Sequence, residues 1–165
     1  MRSPALAPLQ VLDLPVADLY AEHWSITGHG VPGYRARLRS NYLPGRNLLL
    51  GSLAAVHCAR ARIPVLALAL LADNPFPDAT PRFLADFGRV ARRALGVPLT
   101  VRAPFRRLDK AAVIRRGRAL PLAHTLSCAR PRGLFHCGAC TKCAERRHAF
   151  ARARVPDPTR YARRG

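Results

Sequence analysis

A chain of 165 residues is the size of one domain and can bury roughly two thirds of the surface its unfolded form exposes, so a self-standing core is attainable. Apolar residues make up 49% and charged residues 22%, which excludes a wholly disordered chain despite 15 prolines. Twenty-eight basic against nine acidic side chains give a net charge of +19, yet 26 of the 28 are arginine and they are scattered, so a general arginine bias accounts for the charge as well as a nucleic-acid patch does.

Residues 1–19 hold no charged segment leading into a sustained apolar stretch, so no cleaved secretory signal is expected and the chain is expected in the cytoplasm. Residues 9–14 read as a short buried strand and 15–22 as one or two helical turns. Residues 23–43, with Gly28, Gly30, Pro32 and Gly33, read as a long loop of functional kind. From 47 to 61 the pattern turns helical: Asn47 is a good capping residue, and Leu48, Leu49, Ala54, Ala55 and Cys58 share much of one apolar face, with Cys58 a small buried side chain. The apolar run 63–72 reads as a parallel strand covered on both faces, and it is half the roughly 20 residues a membrane span requires. Residues 73–78 break it into a loop. A helix over 81–95 ends at Gly96, 97–101 forms a third strand, and 108–120 is a helix that begins near Lys110 and closes near Gly117. A cysteine loop, a helix over about 141–152 and a polar tail with Pro156 and Pro158 complete the chain. Strands alternating with helices in this way predict βαβ units and a parallel sheet.

Four of the five cysteines fall at Cys128, Cys137, Cys140 and Cys143, within sixteen residues. Thiolates two residues apart fold onto one ion through a tight turn, which Gly138 eases, and a fourth thiolate from a short loop closes the tetrahedron zinc prefers. Four sulfur ligands leave no open position, so the expected site is structural. Four free buried cysteines are the bland alternative, and His136 is a competing ligand beside Cys137. The spacing is poor for a zinc ribbon, which wants two paired knuckles.

Four stretches fit one pattern: Leu43-Pro-Gly-Arg-Asn47, Phe76-Pro-Asp78, Leu108-Asp-Lys110, and Thr125-Leu-Ser-Cys128 leading to Cys137-Gly-Ala-Cys-Thr-Lys-Cys143 and Arg146. In order and spacing they resemble the 7-cyano-7-deazaguanine synthase (QueC/ExsB) family, ATP-dependent ligases of queuosine and related deazaguanine biosynthesis. The resemblance runs from about residue 9 to 150. It implies a partial α/β, Rossmann-like fold of adenine-nucleotide alpha-hydrolase type with a small C-terminal four-cysteine zinc element, assembled as a homodimer. It also implies conversion of 7-carboxy-7-deazaguanine and ammonia to a nitrile, with structural zinc and with ATP and magnesium. On that basis Arg46, Asn47 and Lys110 are candidates for the nucleotide, Asp78, Thr125 and Ser127 for the substrate, and the four cysteines for zinc; the catalytic residues are unassigned. A capping residue or a solvated surface charge is the alternative at each of the first three.

The sequence also departs from the pattern. The phosphate-binding Ser-Gly-Gly-x-Asp-Ser of the family occurs nowhere in these 165 residues, and the family's Tyr-Pro-Asp-Cys-Arg stands here as Phe76-Pro-Asp-Ala-Thr80. The expected organisation is a truncated nucleotide-hydrolase-like domain over 1–125, a zinc element over 126–150 and a flexible basic tail over 151–165. Such a chain is expected to be inactive alone and to act with a complementing chain that carries the phosphate loop. A diverged, non-catalytic zinc-stabilised scaffold is one alternative. A basic zinc-containing nucleic-acid-binding module is the other, resting on ten basic and two acidic residues over 126–165.

Overall fold

A computed structural model describes residues 6–162. Its centre is a single βαβ unit. Strand β1 (Val65–Ala67) and strand β2 (Thr100–Arg102) run parallel, in the register Val65↔Thr100, Leu66↔Val101 and Ala67↔Arg102. Before the unit come a one-turn helix α1 (Trp24–Thr27), stopped by Gly28 in the left-handed region, and helix α2 (Arg46–Arg60). Helix α3 (Pro81–Leu95) makes the crossover between the strands, and helices α4 (Lys110–Arg116) and α5 (Thr141–Ala153) follow.

Local chemistry explains α3. The Thr80 hydroxyl accepts from the Phe83 N–H at 3.1 Å, Pro81 takes the first helical position where its missing N–H costs nothing, and Gly96 adopts φ 65° to end the helix. Its face of Leu84, Phe87, Gly88 and Ala91 is buried, and the core it builds with Ala55, Cys58, Leu66 and Leu99 joins both helices to the sheet. Helix α2 enters that core on its smallest face, Gly51, Ala55 and Cys58. Gly51 lets the two helices approach there, since a β-carbon at that position would lie 3.1 Å from Phe87 Cζ and the ring would have to shift by a few tenths of an ångström.

Several sequence expectations change. Residues 9–14 form no strand; Leu9 and Val11 are exposed, because prolines flank the run and no neighbouring strand offers it hydrogen bonds. The expected strand over 63–72 shrinks to Val65–Ala67: Pro64 cannot donate to the ladder, and beyond Leu68 the chain turns away, with the Leu70 N–H donating to Leu68 O. Strand β2 begins three residues later than expected, since Pro98 likewise cannot donate, and ends one residue later, at Arg102. The cap of α2 is Gly45 at φ 71°, not Asn47, which lies inside the helix and is buried. The loop over 23–43 contains α1 and a 3-10 turn, Leu38–Asn41.

The segment expected as a flexible tail continues α5 to Ala153 and then folds back. Arg154 turns the chain in the left-handed region, and residues 157–162 lie across the cysteine element, where the His136 N–H donates to Arg160 O at 3.0 Å and the Ala162 N–H to His136 O at 2.8 Å. Residues 163–165 of that expected tail fall outside the described part. Among the described residues no helix is long and apolar enough to cross a membrane.

Candidate functional site

The four cysteines converge. Their sulfurs lie within 4.8 Å of one another, with Cys140–Cys143 at 3.5 Å, Cys137–Cys143 at 3.9 Å and Cys128–Cys140 at 4.0 Å. Four thiolates around a zinc ion at about 2.3 Å would sit about 3.8 Å apart, so the donor set fits a tetrahedral metal such as zinc. Local structure dictates this. Gly138 at φ 77° makes the knuckle between Cys137 and Cys140, and Cys140 caps α5 so that Cys143 falls in its first turn. Backbone N–H groups aim at the sulfurs: Arg130 and Cys137 donate to Cys128 Sγ at 3.3 and 3.2 Å, and Ala139 donates to Cys137 Sγ at 3.4 Å. Burial pushes the Cys140 thiol up, but the hydrogen bonds it accepts from backbone and neighbouring thiols outweigh this and bring it down to about 7. Burial holds Cys143 and Cys128 above the ordinary thiol range.

His136, the competing ligand, points elsewhere. Its Nε2 accepts from the Ser127 N–H at 3.1 Å and its ring meets Tyr161 edge-on. Burial and the nearby Arg146 charge lower its pKa, which keeps that acceptor nitrogen unprotonated. Arg146 ties the element to its surroundings. Its guanidinium donates to Thr125 Oγ1 at 2.9 Å, Ser127 Oγ at 3.3 Å, Leu122 O at 3.0 Å and Thr159 Oγ1, with Asp157 Oδ1 3.7 Å away.

Beside this element lie two hollows. The larger, a cleft of about 540 Å³, opens past the C-terminal end of β1, where open α/β sheets place their ligands. Arg46, Asp73, Phe76, Lys110, Glu145 and His148 are among its lining. The smaller, about 320 Å³, is walled by Ile114, Leu122, Leu126 and Phe150 and presents Thr125 and Ser127. Lys110, Lys142 and Glu145 line both. Lys110 Nζ lies 2.7 Å from Glu145 Oε2 and Lys142 Nζ 2.9 Å from Oε1. Burial raises the Glu145 carboxyl, but the two lysines outweigh it and hold it below the usual carboxylate range.

The candidates from sequence thus fall into three groups. Arg46 and Lys110 line the cleft, and Arg46 is half-buried, its guanidinium making no hydrogen bond or ion pair among the described residues. Asn47 and Asp78 are buried against each other instead. Asp78 Oδ2 accepts the Asn47 N–H at 2.8 Å, and Asn47 Nδ2 donates to Asp78 Oδ1 and to its carbonyl, both at 3.2 Å. The anion at the start of α2 is therefore the protein's own. Thr125 and Ser127 face the smaller cavity and are held by Arg146. Sequence reasoning missed Glu145, although its position three residues after Lys142 on a helix is the spacing of an ion pair.

Comparison with known proteins follows the same lines. The profile of the family described as "Queuosine biosynthesis protein QueC" matches residues 10–154. A 7-cyano-7-deazaguanine synthase of Anaeromyxobacter sp. (strain Fw109-5) is 38% identical over 138 residues, covering 78% of this chain and 59% of the relative. One of Anaeromyxobacter dehalogenans (strain 2CP-C) is 40% identical over 131 residues, covering 74% and 56%. One of Syntrophobacter fumaroxidans is 34% identical over 182 residues, covering 98% and 76%. In the first two comparisons the chain spans little more than half the length of the relative.

Proposed function

The chain belongs to the QueC family of queuosine biosynthesis proteins, and on that premise we propose that it forms the metal-bearing, cleft-forming part of a ligase that makes 7-cyano-7-deazaguanine from 7-carboxy-7-deazaguanine and ammonia. Converting a carboxylate to a nitrile with ammonia expels both of its oxygens, the first on forming the amide and the second on dehydrating it. When bound, ATP with magnesium would supply the activation that makes each a leaving group. The protein's part is to bring a polyphosphate and a carboxylate together and screen their charges.

One observation carries this reading. Lys110 stands on the wall common to both hollows, so a single ammonium faces a group in each. In the cleft, the unpaired Arg46 guanidinium is suited to phosphate oxygens. In the smaller cavity, apolar walls suit a flat heterocycle, and the Thr125 and Ser127 hydroxyls, oriented by Arg146, are suited to its polar edge. The cysteine element, with all four positions filled by sulfur, keeps the loop bearing Thr125 and Ser127 in place and takes no part in bond making. No Ser-Gly-Gly-x-Asp-Ser stretch lies within these residues, and in this reading sequence outside them, in the same polypeptide or a partner, holds the phosphates.

The test is reconstitution. The chain is mixed with a polypeptide carrying the phosphate loop, then with 7-carboxy-7-deazaguanine, ammonia, ATP and magnesium, and the product is read by mass spectrometry. Nitrile is expected from the mixture, none from this chain alone, and a loss of at least about tenfold with Lys110→Ala, the size expected for one charge-assisted contact. A mixture that binds both ligands yet yields no nitrile overturns the reading.

A further inference from the structure

Lysine occurs only at positions 110 and 142, in a chain with 26 arginines, and both lysines end on one carboxylate. Lys110 begins α4 and Lys142 lies in the first turn of α5, so the convergence is tertiary. The pairing is also open: the side chains of Lys110, Lys142 and Glu145 are 41%, 30% and 22% exposed. Pairs exposed to this degree contribute little net stability, and their partners exchange readily. An ammonium suits exchange better than a guanidinium, because its three donors rotate freely and carry no fork geometry that must be matched. The charges facing the cluster favour an anion as well. Arg46 lines the cleft and Arg146 the smaller cavity, against the single further acid Asp73 among the lining residues.

We propose that Lys110, Lys142 and Glu145 form an oxyanion site whose resting occupant is the Glu145 carboxylate, and that a ligand carboxylate or phosphate bridges the two ammonium groups in its place. Glu145 is then an internal stand-in. It keeps two cations paired while the hollows are empty and releases them to a ligand that brings equal or greater charge. The proposal rests on reading the cleft as an anion-binding space. It does not require nitrile formation, so the two ideas fail separately.

The chain offers a clean readout, since selective ¹⁵N-lysine labelling yields only two side-chain signals. Inorganic pyrophosphate and 7-carboxy-7-deazaguanine serve as the phosphate and carboxylate probes. Both lysine signals are expected to move together with one dissociation constant. Glu145→Gln, which removes the competing charge but keeps the shape, should bind the favoured probe at least ~5-fold more tightly, and Lys142→Met at least ~5-fold more weakly. The probe whose affinity responds more to Glu145→Gln identifies which anion the site serves. Should Glu145→Gln fail to fold, Glu145→Asp, with a shorter reach, is expected to tighten binding in the same sense by a smaller factor. Lysine signals that stay fixed at saturating concentrations of both probes overturn the proposal, as does affinity for both that is unchanged or weakened when Glu145 is replaced.

Discussion

Arg146 is 8% exposed, and from helix α5 it joins two other segments, the stretch before Cys128 and the returning C-terminal segment. Removing it takes a charged donor from Thr125, Ser127, Leu122 and Thr159 and the counter-charge from the half-buried Asp157, so Arg146→Ala should cost about 3 kcal/mol, seen as a lower denaturation midpoint. Arg146→Lys should restore little, because one ammonium cannot reach three directions at once. Asp157 gives the same region a pH dependence. Burial pushes its carboxyl up, but hydrogen bonds from Thr159 and Tyr161 and the Arg146 charge outweigh this and hold it below its ordinary value of 3.8. A depressed carboxyl stabilises the fold above its unfolded pKa, and that contribution disappears as pH falls through the folded value. The stability difference between wild type and Asp157→Asn should therefore be constant from neutral pH to about 5 and shrink toward zero below about 4, measured by urea unfolding across a pH series. The sequence revealed which types of residue matter here but not their partners. Asp78 reads as a ligand contact until its carboxylate is found on Asn47, 31 positions earlier, and no local pattern records a pairing at that distance.

At the scale of elements, helices were more legible than strands. Helix α3 carries its own start and stop, Thr80, Pro81 and Gly96, and its bounds match the sequence reading. The strands carry no such marks. Their length is set by where a neighbour can hydrogen-bond, so the apolar run over 63–72 yields only three residues of ladder. The crossover core is testable through Leu99, which is 1% exposed: Leu99→Ala should cost about 2–5 kcal/mol by leaving a cavity between α3 and the sheet. Gly51→Ala probes the same core by overfilling it. Helix propensity alone favours alanine by about 1 kcal/mol, but the new methyl would press on the buried Phe87 ring, so a net loss of about 1–2 kcal/mol is expected. Phe87→Leu in the same chain should recover part of that loss, a coupling that a double-mutant cycle detects.

For the molecule as a whole, two small cores share the work. One is the βαβ unit with α2, and the other is the cysteine cluster, where Val31, Ala139 and Tyr161 pack around the buried thiols. Few apolar side chains surround the thiols in the second core, and a metal held by the four sulfurs would add ligation energy that keeps residues 122–162 in order. The cysteine spacing made this centre visible in the sequence, because one turn and one loop suffice to bring the sulfurs together. The return of residues 157–162 across it was not visible, since prolines and arginines there read as a tail and the contacts depend on His136 and Arg146 already being in place. A native mass spectrum of the purified chain, read together with its melting curve, bears on this directly: one zinc ion per chain is predicted for wild type, with none bound and a lower melting temperature for Cys137→Ala combined with Cys140→Ala. A wild-type chain that carries no metal and melts at the same temperature as the double variant would contradict it.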